Sequence, residues 1–408
     1  MKVNISRVMK RIDDISKFNN CTGEGISRFS FSKEDRMARD WIEDICNNLG
    51  LTFKVDGVGN IRARYGGDGA PILIGSHIDS VKNGGKYDGI VGVIGALEVL
   101  SVMVEENYKP LRPIELIIFA EEEGSNFGTT MVGSKSLIGK LSYNDLNELH
   151  NDKGLSALKI MEDFSLNPLD MKNSILKSGD IFAMVELHIE QGIVLEREGL
   201  DLGVVNAIAG MTTLDVTVKG TSNHAGSTPM TMRNDALVAS SELFLEIEKI
   251  AKSINPTTVA TVGTIDLKPN MPNVIPGKVK FTIDIRDIDN DSIKKAEDLI
   301  KEFSKTISKK RNVKIDFETI GSSKAIKLSD LVINEITKVV KSTTSSWMNM
   351  HSGAVHDAAM IAEIAPVGMI FVPSRNGISH NKDEYTDEKH IEMGVQVLLD
   401  TAIELSQK

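Results

Sequence analysis

Cysteine is nearly absent from this chain. Only Cys21 and Cys46 occur, and neither stands in a Cys-x-x-Cys pair. That excludes a disulfide framework and reads as two free thiols in a reducing compartment. Long apolar runs are missing too. The opening residues, MKVNISRVMKRIDDISKF, contain none and read as neither signal peptide nor membrane anchor. The stretch from Ile90 to Leu100 is too short and too glycine-interrupted to span a bilayer. Positive charge is in deficit: 47 Lys and Arg against 57 Asp and Glu leave a formal charge of −10. A nucleic-acid-binding face would need the opposite balance. A small anionic substrate is not excluded, because local cations can still line a cleft. There is no internal repeat and no low-complexity tract. These absences predict a cytoplasmic protein with neither nucleic acid nor membrane as partner.

What is present is ordinary globular composition, 41% hydrophobic and 25% charged. A chain of 408 residues fits two domains, at roughly 100–200 residues each. Ser32, with an acid three residues later, predicts a helix start, and Gly50 its end. Short β-rich runs follow at 52–56 and 60–65. Further strands are predicted at 71–77, 114–119, 182–187, 202–207 and 367–372. Helices are expected at 90–107, near 356–363 and at 387–405. Strands alternating with helices predict an α/β/α domain whose central sheet is mixed but largely parallel.

Residues 210–325 have another rhythm: strand 212–219, helix 233–252, strands 258–267 and 275–286, helix 291–309, strand 313–320. That order is βαββαβ, the ferredoxin-like plan. The expectation is therefore a discontinuous catalytic domain, 1–209 plus 326–408, interrupted by a lid domain at 210–325.

The chemistry-bearing residues gather at strand ends. Gly75-Ser-His77-Ile-Asp79 closes one strand, and Asp88-Gly89 follows His77 by eleven residues. Glu121-Glu122-Glu123 comes directly after the strand IELIIF. Glu186-Leu-His188-Ile-Glu190-Gln191 closes a third strand, and His380 follows a fourth. In an open α/β sheet the carboxyl ends of the strands face one crevice. Three histidines and several acids would converge there, the donor set of zinc or a similar divalent ion. A bridging carboxylate could hold two ions about 3.5–4 Å apart, leaving one acid free to take a proton from water. Taken singly, each piece has an ordinary reading. A strand-end histidine is commonly a satisfied polar residue, Asp88 beside Gly89 suits a turn, and a run of glutamates is usually a solvated face. Their convergence on strand ends favours metal.

At these residues the chain resembles a known family. GSHIDSVKNGGKYDG, FAEEEGSNFG, VELHIEQG, NHAGSTPM, MPNVIPG, SGAVHDA and GISHN are similar to segments of the N-carbamoyl-L-amino acid hydrolases and allantoate amidohydrolases. These belong to the aminoacylase-like dinuclear metallopeptidases. The resemblance covers nearly the whole chain and implies two divalent ions per subunit, Zn, Mn, Co or Ni. His77, Asp88, Glu123, His188 and His380 would be the ligands, with Asp88 bridging. Glu122 would be the general base, and Asp79 would orient His77. His224 would stabilise the developing oxyanion. Asn273 and Arg286 would hold the substrate carboxylate, helped by Gln191 and the Gly353-Ala354 backbone. The resemblance further implies a homodimer formed through the lid. The chain departs from the family at Val355, where Gly is usual, and at Asn126, where Arg is common.

The residues keep plainer alternatives. Arg286 lies in the alternating run TIDIRDID and could be a surface strand residue. His224 could cap a loop, and Asn273 could be a turn residue between prolines. His356-Asp357 is expected to start a helix and support the loop, whereas His150 and His390 read as surface residues. Within enzymes, the competing activity is a metallo-aminoacylase or dipeptidase on the same scaffold. Outside enzymes, it is a binding protein that keeps the fold; the presence of Glu122 and of all five ligand positions weighs against that. VVNAIAG, SNHAG and MHSGA resemble allantoate enzymes, so the two ureido substrates stay open.

Overall fold

Runs of Ile, Leu and Val bounded by glycine, proline and polar residues form buried strands, and these organise the larger part of the molecule. The computed structural model describes residues 1–21 and 23–408. The chain divides into two units: Met1–Asn206, Leu328–Ser352 and His356–Lys408 form one, and Ala207–Lys327 with Gly353–Val355 form the other.

The first unit is built on a mixed sheet. Ile114–Phe119, Ile72–His77, Ala183–Ile189 and Val367–Val372 lie side by side in that order and run parallel. Both flanks are antiparallel: Ile61–Tyr65 pairs with Ile114–Phe119, and Leu202–Ile208 with Val367–Val372. The four parallel strands are buried along their length, as continuous apolar runs in a sheet covered on both faces should be. Because they share a direction, their carboxyl ends lie along one edge. The helix Ile90–Glu105 is mostly apolar and buried from residue 90 to residue 103, its buried acid Glu98 paired with Arg7, the signature of a core helix. The helix Lys33–Asn48 begins as its sequence predicts, with the Ser32 hydroxyl accepting from the Asp35 N–H, and Gly50 follows its end in the left-handed region.

Two of the longer helices were not legible from composition. Ile5–Ile15 buries Val8, Ile12 and Ile15, and Asp330–Thr343 buries Val332, Ile336, Val339 and Val340. A correction concerns His390, expected at the surface. It is 9% exposed, on the inner side of the helix Glu388–Ser406, with Nε2 3.2 Å from Asp201. His150 is exposed, as expected.

The second unit holds a four-stranded antiparallel sheet in the order Lys314–Ser323, Gly210–Lys219, Lys278–Asp287, Val259–Lys268. With the helices Ala236–Ile254 and Asn290–Arg311 it follows the βαββαβ order read from the sequence. Its core is its own, centred on Leu214, Val216, Phe281 and Ile283. Among the described residues, no helix is long and apolar enough to cross a membrane.

Candidate metal centre

His77 is the last residue of its strand and pairs in register with Phe119, the last residue of the next. His188 pairs with Phe371 one strand further. The sheet therefore delivers His77, His188, the acidic run after Phe119 and the loop carrying His380 to one edge.

The orientation of each ring is fixed from behind. His77 Nδ1 lies 3.0 Å from the Asp79 carbonyl oxygen and His188 Nδ1 2.9 Å from the Ile189 carbonyl oxygen. A carbonyl can only accept, so in each neutral ring Nδ1 carries the proton and Nε2 presents a lone pair. Those lone pairs face carboxylate oxygens. His188 Nε2 is 3.2 Å from Asp88 Oδ1, and His77 Nε2 is 3.7 Å from that atom and 3.8 Å from Glu122 Oε2. The other oxygen of Asp88 faces His380 Nε2 at 3.2 Å, and that nitrogen is 3.3 Å from Glu123 Oε2. Asp88 thus stands between two clusters, His77–Asp88–His188 and Asp88–Glu123–His380.

Acceptor facing acceptor is stable only with a proton or a metal ion between them. Burial alone would push His77 and His188 down. Glu122 and Asp88 outweigh burial at His77, and Asp88 outweighs it at His188, so both rings are held above the ordinary imidazole value. Burial would raise Asp88, but the three imidazoles hold its carboxyl well below the usual range. His188 Nε2 and Glu123 Oε1 are buried without a hydrogen-bond partner. Orphaned imidazole and carboxylate atoms converging in this way suit a divalent transition ion. Gly89 makes room for the arrangement: its φ is +67°, and a Cβ there would meet the His77 ring at 2.6 Å.

Glu122 and Glu121 differ in what they face. The Glu121 carboxylate turns into its own loop and accepts from the Asn126 and Phe127 N–H groups at 2.8 and 3.1 Å. Glu122 faces His77, and burial, with Glu123 and Asp357 nearby, holds it well above the usual carboxylate value. Asn126, where the resemblance leads one to expect Arg, also donates through Nδ2 to the Ser30 carbonyl.

Asp79 stands behind the His77 ring, with its Oδ1 3.7 Å from Nδ1. Its backbone carbonyl holds the His77 ring, while its carboxylate accepts from the Glu122 and Glu123 N–H groups at 3.2 and 3.1 Å. Gln191, expected on the substrate carboxylate, donates from Nε2 to Asp88 Oδ2 at 2.7 Å. Glu121, Gln191 and His380 all have φ between 52° and 57°, backbone strain of the kind that gathers at functional sites. His356 caps the helix Asp357–Ile361, shares a hydrogen bond with Ser352 at 2.8 Å and packs edge-on against His188.

In the second unit, His224 and Asn273 are brought together by a short ladder, His224 opposite Val274, with the Ala225 N–H donating to the Asn273 carbonyl. Both side chains are exposed. Arg286 donates to Asp284 through Nε at 2.8 Å and Nη2 at 3.3 Å, and to the Gly353 carbonyl through Nη1 at 3.0 Å. Sequence reasoning did not single out Ser374, whose hydroxyl accepts from the Gln191 N–H. It also passed over Ser379 and Glu384, which surround Asp88. Polar residues in irregular loops carry no periodic signal.

A mixed sheet with a shared carboxylate and paired imidazoles at its strand ends defines a metal-dependent hydrolase. Residues 73–404 match the model of Peptidase family M20/M25/M40, and the chain belongs to that family. It is 35% identical to an N-carbamoyl-L-amino-acid amidohydrolase of Paenarthrobacter aurescens, over 98% of this chain and 97% of that one. It is 38% identical to a ureidoglycolate hydrolase of Arabidopsis thaliana, over 100% and 87%, respectively. An allantoate amidohydrolase of Escherichia coli is 35% identical, with 94% of both chains covered. The solved structure of a hydantoinase/carbamoylase-family amidase from Burkholderia multivorans has a TM-score of 0.93 at 31% identity, covering 100% of this chain and 99% of that one.

Proposed function

We propose that the protein hydrolyses the carbamoyl C–N bond of a small ureido carboxylate, releasing ammonia and carbon dioxide. An N-carbamoyl-L-amino acid is the first candidate and allantoate the specific alternative. The observation that carries this reading is Asp88, with one oxygen toward His77 and His188 and the other toward His380 beside Glu123. The full-length relatives named for ureido substrates supply the substrate class.

His77, Asp88 and His188 would hold one divalent ion, and Asp88, Glu123 and His380 a second. Bound there, such ions polarise the carbamoyl oxygen and bring the pKa of water to about 7. The rest falls to side chains. The carbamoyl carbon is a poor electrophile because two nitrogens donate into it. Glu122 takes a proton from the attacking water and returns it to the departing amine. The carbamate that leaves breaks down to carbon dioxide and ammonia. His224 Nδ1 accepts from the Gly226 and Ser227 N–H groups at 3.0 and 3.1 Å. The proton of its neutral ring therefore sits on Nε2, a donor suited to a developing oxyanion.

Arg286 has five N–H donors. Asp284 takes two and Gly353 one, which leaves one on each Nη for a substrate carboxylate, with Asn273, Gln191 and the Gly353–Ala354 backbone assisting. Arg286→Lys keeps the charge and loses the fork. A charge-assisted hydrogen bond is worth about 1.5–3 kcal/mol, so kcat/KM should fall by roughly 10- to 100-fold. The preference of the unmodified enzyme for a free acid over its neutral amide should shrink in parallel. A neutral amide hydrolysed as well as the free acid by the unmodified enzyme would remove the clamp.

The assembly we propose is a homodimer through the second unit. Val259–Lys268 is an edge strand of its sheet, and Val259 and Ile265 are exposed on it. Leu245, Met230 and Met232 of the same unit are also exposed, the methionines at 76% and 72%. An open edge carrying exposed apolar side chains favours two-fold pairing. Sedimentation at the monomer mass across micromolar concentrations would refute the dimer. The proposed location is the cytoplasm.

The deciding experiment is ammonia release from a panel of N-carbamoyl-L-amino acids, allantoate and ureidoglycolate, with Zn, Mn, Co and Ni each supplied in turn. N-acyl amino acids and dipeptides complete the panel. Turnover of these last two alone would favour the aminoacylase or dipeptidase reading.

A further inference from the structure

Asp88 is held from behind by a carboxylate that none of the chemistry above uses. Glu384 is 4% exposed and lies in the loop that carries His380. Its Oε1 accepts from the Tyr87 N–H at 2.9 Å and from the Asp88 N–H at 3.0 Å. Its Oε2 is 2.8 Å from the Ser379 hydroxyl, which lies 3.2 Å from Asp88 Oδ2. The single proton of Ser379 is thus shared between the two acids. Three further features serve the same approach. Gly85 sits where a Cβ would meet Glu384 Oε1 at 2.2 Å. Tyr87 and Tyr385 pack edge to face, centroids 5.7 Å apart. The Arg375 N–H donates to the Tyr385 carbonyl. The loop bearing the bridging acid and the loop bearing His380 therefore meet at one buried side chain.

We propose that Glu384 is a positioning residue that locks these two loops in register, so that Asp88 presents one oxygen to each half of the metal centre. The inference rests on the metal-centre reading of Asp88. A carboxylate suits the task because its two oxygens can receive several donors from two directions at once. Groups that hold metal ligands from behind commonly change metal affinity by about 10- to 100-fold when removed.

The test is metal affinity of the full-length protein, measured by competition with a chromogenic chelator for zinc and followed by the visible spectrum of the cobalt form. Glu384→Ala should weaken binding by about 10- to 100-fold and alter the cobalt spectrum. Glu384→Gln keeps the oxygen that receives the two N–H groups and should stay within about threefold. Gly85→Ala, which displaces Glu384 without removing it, should resemble Glu384→Ala and reports on the same contact if that variant fails to fold. Unchanged affinity and spectrum in Glu384→Ala and Gly85→Ala would overturn the proposal, as would a Glu384→Gln variant as weak as Glu384→Ala. If the unmodified protein binds no zinc, the metal-centre reading itself falls, a result distinct from either.

Discussion

Replacing Glu122 by glutamine is expected to lower kcat by about 10²–10⁴ while leaving metal content near that of the unmodified protein. The magnitude is that of a positioned acid–base group. Glutamine matches glutamate in shape and can still form hydrogen bonds, but it cannot take a proton from water or return one to the amine. Glu122 Oε2 stands 3.8 Å from His77 Nε2, close to the cluster but outside the five residues assigned as ligands. Its removal should therefore cost chemistry rather than metal. Burial, with Glu123 and Asp357 beside it, holds the Glu122 carboxyl well above the ordinary value. A base must be ionised to act, so kcat/KM of the unmodified enzyme should rise with pH along an acid limb set by Glu122. The glutamine variant should lose that limb. Wild-type turnover in Glu122→Gln would discard the assignment and bring Glu121 forward. That alternative is the weaker one on geometry, because the Glu121 carboxylate is committed to two backbone N–H groups of its own loop.

The regular framework was legible because burial imposes a period. IELIIF and Pro-Ile-Leu-Ile-Gly read as strands since both faces of the central sheet are covered, and polar residues at their carboxyl ends had to face a common edge. The βαββαβ rhythm was readable for the same reason, its strands alternating in burial along Lys278–Asp287. What escaped reading depends on contacts distant in sequence. Glu384 meets Asp88 across nearly three hundred residues, and nothing local separates it from Asp383 beside it. His390 looked like a surface residue in a polar run until the closing helix turned it inward against Asp201. Asp79 shows a subtler limit. Its position two residues after His77 does not say which of its groups meets the imidazole. The chain's turn sets the backbone carbonyl 3.0 Å from Nδ1 and the carboxylate 3.7 Å from it, where the carboxylate also orders the Glu122–Glu123 loop.

Removal of divalent ions by a chelator should abolish activity, and a transition ion should restore it with an affinity that climbs as pH rises. The direction follows from the protons that hold the cluster together without metal. Asp88 and Glu123 raise the His380 imidazole, against the lowering effect of burial, to about 9. Burial and Asp88 raise Glu123 to about 7. Both groups bind metal only when deprotonated. Below pH 7 an entering ion must displace a proton from each, between pH 7 and 9 chiefly from His380, and above pH 9 from neither. Apparent affinity should therefore rise with pH, more steeply below neutrality, where Glu123 and His380 both carry protons, than above it, with the raised His77 and His188 rings adding to the same direction. Calorimetric titration in buffers of different ionisation enthalpy counts the released protons directly. Affinity independent of pH between 6 and 9, or a fully active preparation with only trace metal, would show that Asp88 and its histidines are held together by protons and not poised for metal ions.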